Sequence, residues 1–300
     1  MGTYHRQVRR GNDERHYRSR ERARQGLDLY APLPVKGEKI VNRHYAVLCD
    51  YGLDDACATI YLLDNAETGD CFDILPIGGN SEVNVAHRNA LTLVAEYEKS
   101  GKKIDNIRII DTRALTQPWA KLPSIHGEDG MGDIFMPQTP SVPVIGFSEW
   151  LKEESEPLYV VSLGPCTVTE IIMKSKRTEK LLIMGGCVAE EPNFHGYEFN
   201  HYLDIPAFNA CTRYPHVAAT LDSCRDPGFN LAGKRFTDGS LLSRLLNRSI
   251  ELAEARHPDN CYVYDYIAVH YAVNPKDFTT TKAVDREGND LCELHLCHEK

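Results

Sequence analysis

The sequence predicts a single α/β domain, with a mainly parallel central sheet flanked by helices. Short apolar runs alternate with longer stretches of helical spacing along most of the chain, which is the pattern of repeated βαβ units. Several of the unusual residues, Asp50, Asn80, Gly164 and Gly185, directly follow an apolar run, and ligands of such sheets sit at the carboxyl ends of the strands. A chain of 300 residues with 42% hydrophobic content is long enough for one large closed core.

The elements follow in order. Residues 1–43 are read as a basic arm and linker. Arg6, Arg9, Arg10, Arg15, Arg18, Arg20, Arg22 and Arg24 crowd a stretch with few apolar residues, which buries too little surface to offset its ordering entropy. The arm is either a solvated tail or a basic surface for an acidic partner or a nucleotide phosphate; Pro32 and Pro34 mark the linker. The folded domain is placed at 44–300. Tyr45–Cys49 is a strand, Ala56–Leu63 a helix, and Phe72–Ile77 a strand stopped by Gly78-Gly79. Asn84–Ser100 carries helical spacing in Val85, Leu91, Leu93, Val94 and Tyr97, and Ile107–Ile110 is a strand. Leu158–Leu163 and Leu181–Met184 are two more, each ending in Gly. A later helix covers 239–255 with Ser240 as N-cap, and the chain from Thr279 reads as an excursion of strands.

The net charge of −9 and pI near 5.7 argue against nucleic acid as a partner of the core. No apolar run reaches membrane-spanning length, and the first residues lack the apolar stretch of a signal peptide. The ten cysteines are scattered without a CxxC pair, so they are read as reduced thiols of a cytoplasmic protein.

Five motifs carry chemistry. In Cys49-Asp50-Tyr51-Gly52-Leu53-Asp54-Asp55 three carboxylates crowd a strand end; like charges there repel, and a hard cation removes that cost. The competing reading is an Asp-rich turn in which Asp54 caps the next helix. The loop His126-Gly127-Glu128-Asp129-Gly130-Met131-Gly132 has glycines that permit close approach to a ligand, while a lone His there is also a structural residue. Leu163-Gly164-Pro165 presents a backbone carbonyl or makes an ordinary turn. Glu198-Phe199-Asn200, after Gly185-Gly186, brackets a sugar or belongs to a surface turn. Asp265, between Tyr264 and Tyr266 in an apolar run, needs a cation or an Arg, since an unpaired buried charge is costly.

In order and spacing these motifs resemble the inosine-uridine nucleoside hydrolase family over roughly residues 43–290. The family's opening Asp-x-Asp-x-Gly-x-Asp-Asp falls on Leu48 to Asp55, and Gly79-Asn80, Arg88-Asn89, the His-Gly loop, Leu-Gly-Pro, Glu-Phe-Asn and the late Asp follow in register. The resemblance implies hydrolysis of the N-ribosyl bond of a ribonucleoside, or a related ribosyl compound, to ribose and free base. It implies Ca2+ held by Asp50, Asp55, the Leu163 carbonyl and Asp265, with Asp50 as base for the calcium-bound water. Asp54, Asn80 and Asn200 would grip the ribose hydroxyls, with Glu198 and Phe199 farther along the sugar.

Three positions depart from the family. Leu48 replaces the first aspartate. Tyr264 stands where some members place a His as acid for the leaving base; its phenol is a poorer donor at neutral pH, which leaves His126 or His195 to serve. Asn193 lies five places ahead of Glu198, not six, so the Glu190–His195 loop is expected to recognise a different 5′ group or base. The resemblance further implies nucleoside salvage in the cytoplasm by a homodimer or homotetramer. Two alternatives stand beside it: a nucleotide or nicotinamide ribosyl substrate, and a binding or scaffold protein that kept the fold without turnover.

Overall fold

The computed structural model describes residues 42–102 and 106–297; the arm expected over 1–43 lies, up to residue 41, outside the described residues. The strands are β1 (His44–Cys49), β2 (Cys71–Pro76), β3 (Ile107–Asp111), β4 (Val144–Gly146), β5 (Leu158–Ser162), β6 (Thr178–Met184), β7 (Val217–Ala219), β8 (Phe278–Val284) and β9 (Asp290–Leu296). They form one sheet in the order β4-β3-β2-β1-β5-β6-β7-β9-β8. Neighbouring strands are parallel except β8 and β9, which pair antiparallel at the edge. The helices are α1 (Leu53–Asp64), α2 (Val83–Lys99), α3 (Pro123–His126), α4 (Phe147–Trp150), α5 (Thr167–Ser175), α6 (Phe199–Leu203), α7 (Ile205–Cys211), α8 (Leu221–Cys224), α9 (Leu241–Glu254) and α10 (Tyr264–Val273). No helix among the described residues is long and apolar enough to cross a membrane.

The strand order sets the site. From β1 the chain winds outward through β2, β3 and β4, then returns to place β5 on the other side of β1. The crevice beyond the ends of β1 and β5 is therefore a topological switch point, where open parallel sheets bind ligands. Asp50 follows β1 and Leu163 follows β5, and Leu163 N–H donates to the Leu48 carbonyl at 2.9 Å, so the two ends are locked side by side.

The sheet is buried on both faces, as parallel sheets are. Along β1, Tyr45, Val47 and Cys49 enter one apolar cluster and Ala46 and Leu48 the other. Leu48 is fully buried among Leu75, Ile77 and Ile183. The place of the family's first aspartate is therefore part of the core here. On the other face α1 packs against α9 and α10.

The predicted elements are present, with shifted ends. The first helix starts at Leu53, three residues before Ala56, because Gly52 is extended and the Asp55 carboxylate accepts the Gly52 N–H at 2.9 Å. The Tyr264–Tyr266 run is the first turn of α10, which is buried on nearly every side; with no polar face it shows no helical period. Strands β4 and β7, of three residues each, are too short to show one. All ten cysteines are free thiols.

Candidate active site

The turn from β1 into α1 gathers the acidic residues. Tyr51 takes φ 54°, sparsely populated for a residue with a bulky side chain. This turn brings Asp55 back beneath Asp50, where its carboxylate accepts the N–H of Asp50 at 3.1 Å as well as that of Gly52. Asp265, in the first turn of α10, reaches the same point. One carboxylate oxygen from each of Asp54, Asp55 and Asp265 lies within 4.8 Å of the others.

Asp50 is held from the β2 side. Asn80 donates its backbone N–H to Oδ2 at 2.8 Å and its side-chain amide to Oδ1 at 2.9 Å. Gly79 makes room for this, since a Cβ there would stand 1.9 Å from Asp50 Oδ2. Asn80, expected to grip ribose, also fixes the orientation of Asp50.

The electrostatics are those of negative charge crowded out of water. Burial pushes the Asp50 carboxyl up to about 6. Burial, then the charges of Asp265 and Asp50, lift Asp55 well above the usual carboxylate range, and burial with Asp54 and Asp50 does the same to Asp265. Asp54 Oδ1 is buried with no hydrogen-bond donor among the described residues. An orphaned carboxylate oxygen amid carboxylates that cannot all stay ionised fits a hard divalent cation, which takes oxygen ligands.

The sugar-side residues are placed by α6. Asn200 donates its amide to the carbonyls of Leu163 at 2.9 Å and Met184 at 3.2 Å, tying β5 to β6. Glu198 caps α6 through the N–H groups of Asn200 and His201 and also takes Gly186 N–H at 3.2 Å. Burial nevertheless pushes its carboxyl up to about 7. Asn193 accepts the Phe199 N–H at 2.9 Å, so it anchors the start of the same helix.

A cavity of about 660 Å³ opens beside this cluster, lined among others by Asp54, His126, Asn193, Phe199 and Tyr264. His126 Nδ1 accepts the Leu53 N–H at 3.1 Å, so its proton sits on Nε2. Burial lowers its pKa, ahead of the opposing pull of Asp54. The 3.6 Å approach of Nδ1 to Asp54 Oδ1 is consequently no ion pair. The loop after His126 needs its glycines: Gly127, Gly130 and Gly132 have φ of 81°, 84° and 83°, and Asn89 holds the Asp129 carbonyl at 2.8 Å. His195 stands apart from the cavity, exposed and packed against Phe194 and Tyr202.

Sequence reasoning missed the cations and the anchor at the cavity mouth. Arg225 and Arg256 line it, and Arg225 also holds Glu190 Oε2 and the Glu191 carbonyl at 3.0 Å. Asp222 takes three successive N–H groups, of Val188, Ala189 and Glu190. These residues carry no motif; only the fold brings α8 against the 187–191 loop.

Topology and acidic cleft define an α/β enzyme working at a sheet switch point, and comparison with known proteins narrows the class. Residues 47–293 match the family model described as inosine-uridine preferring nucleoside hydrolase, and the chain belongs to that family. It is an N-glycosyl hydrolase of a metal-dependent family. The chain is 24% identical over 254 residues to the pyrimidine-specific ribonucleoside hydrolase RihA of Salmonella paratyphi B, covering 78% of this chain and 80% of that protein. The fold is similar to a purine-preferring ribonucleoside hydrolase from Gardnerella vaginalis (TM-score 0.61, 22% identity, 85% of this chain and 88% of that one). It is also similar to the type III effector XopQ complexed with adenosine diphosphate ribose (TM-score 0.56, 12% identity, 93% of each chain).

Proposed function

We propose that this chain hydrolyses the N-ribosyl bond of a ribonucleoside to ribose and free base with the help of Ca2+. The observation that carries the reading is the convergence of Asp50, Asp54, Asp55 and Asp265 at one strand end beside an open cavity. Asp54, Asp55 and Asp265, together with Asp50 and the Leu163 carbonyl, would hold the ion. When bound, calcium supplies Lewis acidity, lowering the pKa of a water and orienting it.

The chain's own residues do the rest. Asp50, fixed by Asn80, accepts a proton as general base. The surrounding carboxylates stabilise the oxocarbenium-like transition state as C1′ gains positive charge. His126, neutral with its proton on Nε2, is the hydrogen-bond donor we assign to the leaving base: it stabilises the charge that develops there without giving up its proton, ahead of Tyr264, whose hydroxyl burial makes less acidic. The ten free thiols fit the cytoplasm, where the protein works as a homodimer or homotetramer in nucleoside salvage.

A second reading, a substrate carrying a phosphate, is favoured by Arg225 and Arg256 at the cavity mouth, since Arg pairs with phosphate. One assay tests both: release of reducing sugar from purine and pyrimidine ribonucleosides, their 5′-phosphates and nicotinamide riboside, with and without chelator. Turnover of unphosphorylated nucleosides that disappears with chelator and in Asp50→Ala supports the first reading. Turnover confined to the 5′-phosphates supports the second, and no turnover by folded, calcium-loaded protein overturns both.

A further inference from the structure

His201, Asp285 and Glu287 form a second cluster that shares no residue with the acidic cleft. His201 lies in α6, while the two carboxylates lie in the turn joining β8 to β9. One ligand atom from each lies within 4.8 Å of the other two. His201 is fully buried and the Asp285 side chain has no exposure, whereas Glu287 keeps 19% of its side chain in solvent.

The hydrogen bonds fix the tautomer of His201. Asn289 donates its side-chain amide to Asn209 Oδ1 at 2.9 Å and to Asp285 Oδ2 at 2.8 Å. Asn209 therefore presents its oxygen, and the 3.1 Å contact from His201 Nε2 to that oxygen must carry the His201 proton. Nδ1 is left bare, and it is buried with no hydrogen-bond partner among the described residues. It faces Asp285 Oδ2 at 3.9 Å and Glu287 Oε2 at 3.7 Å. The bare nitrogen thus faces two carboxylate oxygens with no hydrogen on the line to either. The ring cannot turn away, because it stacks on Phe208 with centroids 4.0 Å apart. An imidazole whose far N–H is donated to a carbonyl, with its near lone pair aimed at carboxylates, is arranged as a metal-ligating histidine is.

We propose that His201 Nδ1, Asp285 and Glu287 bind a second divalent cation. One nitrogen and two carboxylate oxygens select a borderline ion of the zinc type over calcium or magnesium, which take oxygen alone. Ligand atoms about 2.1 Å from zinc at the tetrahedral angle stand about 3.4 Å apart, so the two His201 contacts, now 3.9 and 3.7 Å, close by a few tenths of an ångström on binding. Glu287 gives the ion its way in. Arg286, between the two carboxylates, donates to the carbonyls of Ala189 at 3.2 Å and Glu190 at 2.8 Å. The ion would therefore stiffen the turn that supports the mouth loop of the substrate cavity.

The test uses the full chain saturated with calcium and then given Zn2+. Anomalous diffraction at the zinc edge is expected to show a peak bonded to His201 Nδ1. Equilibrium dialysis is expected to show one zinc at this site bound at least tenfold more weakly by Glu287→Gln, a change on a partly exposed turn, and lost in His201→Phe. Zinc is expected to raise the Tm of the wild type and not of Glu287→Gln. An anomalous map without a peak at His201, or equal zinc binding by wild type and Glu287→Gln, overturns the proposal. Neither result depends on turnover, so failure here is distinct from failure of the hydrolase reading.

Discussion

Gly79→Ala isolates the positioning of Asp50. Gly79 needs no left-handed backbone, so alanine meets no local strain there. The obstacle is the new Cβ, placed 1.9 Å from Asp50 Oδ2 and 2.6 Å from Asp50 Cβ, where ordinary contact begins near 3.4 Å. The oxygen must retreat by about 1.5 Å, the difference between 3.4 and 1.9 Å. That displacement breaks the 2.8 and 2.9 Å hydrogen bonds from Asn80. Misplacing a reacting group by about 1 Å costs about 10²-fold, or about 2.7 kcal/mol in the barrier. Loss of hydrogen bonds to a buried carboxylate costs about 2 kcal/mol of stability, a fall in Tm of about 4–8 °C for a domain this large. The assay is kcat/KM by release of reducing sugar, with Tm measured on the same samples. Gly146→Ala is the control: no described residue comes within 4 Å of a Cβ there, so it leaves turnover unchanged. Wild-type kcat/KM in folded Gly79→Ala would refute the assignment of Asp50 to the reaction.

Three further outcomes are expected. Asp73 on β2 is buried and accepts hydrogen bonds from Arg108, His44 and Trp150; burial would raise its pKa, but these partners outweigh it and hold the carboxyl below its ordinary value. A depressed folded pKa gives stability that is present above the unfolded value of about 3.9 and lost as pH falls, so Asp73→Asn should cost about 3 kcal/mol at pH 7. Its Tm deficit should narrow on acidification toward pH 3; a constant deficit would be the contrary result. Leu48→Asp, which restores the family's first carboxylate, should lower Tm sharply, because it places a charge in the core beside Leu75 and Ile77; tighter calcium binding with unchanged Tm would disprove this. His126→Phe should lower kcat by about 10²-fold or more and Tyr264→Phe by far less, and the reverse ranking of kcat values would move the hydrogen-bond donor role to Tyr264.

The motifs of the acidic cleft were legible because their chemistry is local. Asp50, Asp54 and Asp55 lie in one turn of chain, and alternating apolar runs place that turn at the end of a buried strand. Asp265 was legible as a charge in an apolar run, though not as the first turn of a helix, because a helix buried all round hides its period. Roles were harder to read than positions. Asn80 and Asn200, expected on the sugar, also give their amides to Asp50 and the Leu163 carbonyl. Such partners are set by side-chain direction at the strand ends, which spacing does not encode.

The sequence by itself determined the α/β class, the parallel core, the family resemblance and the acidic turn, all of which follow from hydrophobic period and local motif. Only the tertiary structure decided which distant groups meet. It absorbed Leu48 into the core, left His195 in solvent, and brought Arg225 to the cavity mouth. It set His201 against Asp285 and Glu287, more than eighty positions away along the chain. These encounters depend on strand order and the path of the β8–β9 hairpin, and such long-range closure leaves no periodic trace in the residues that make it.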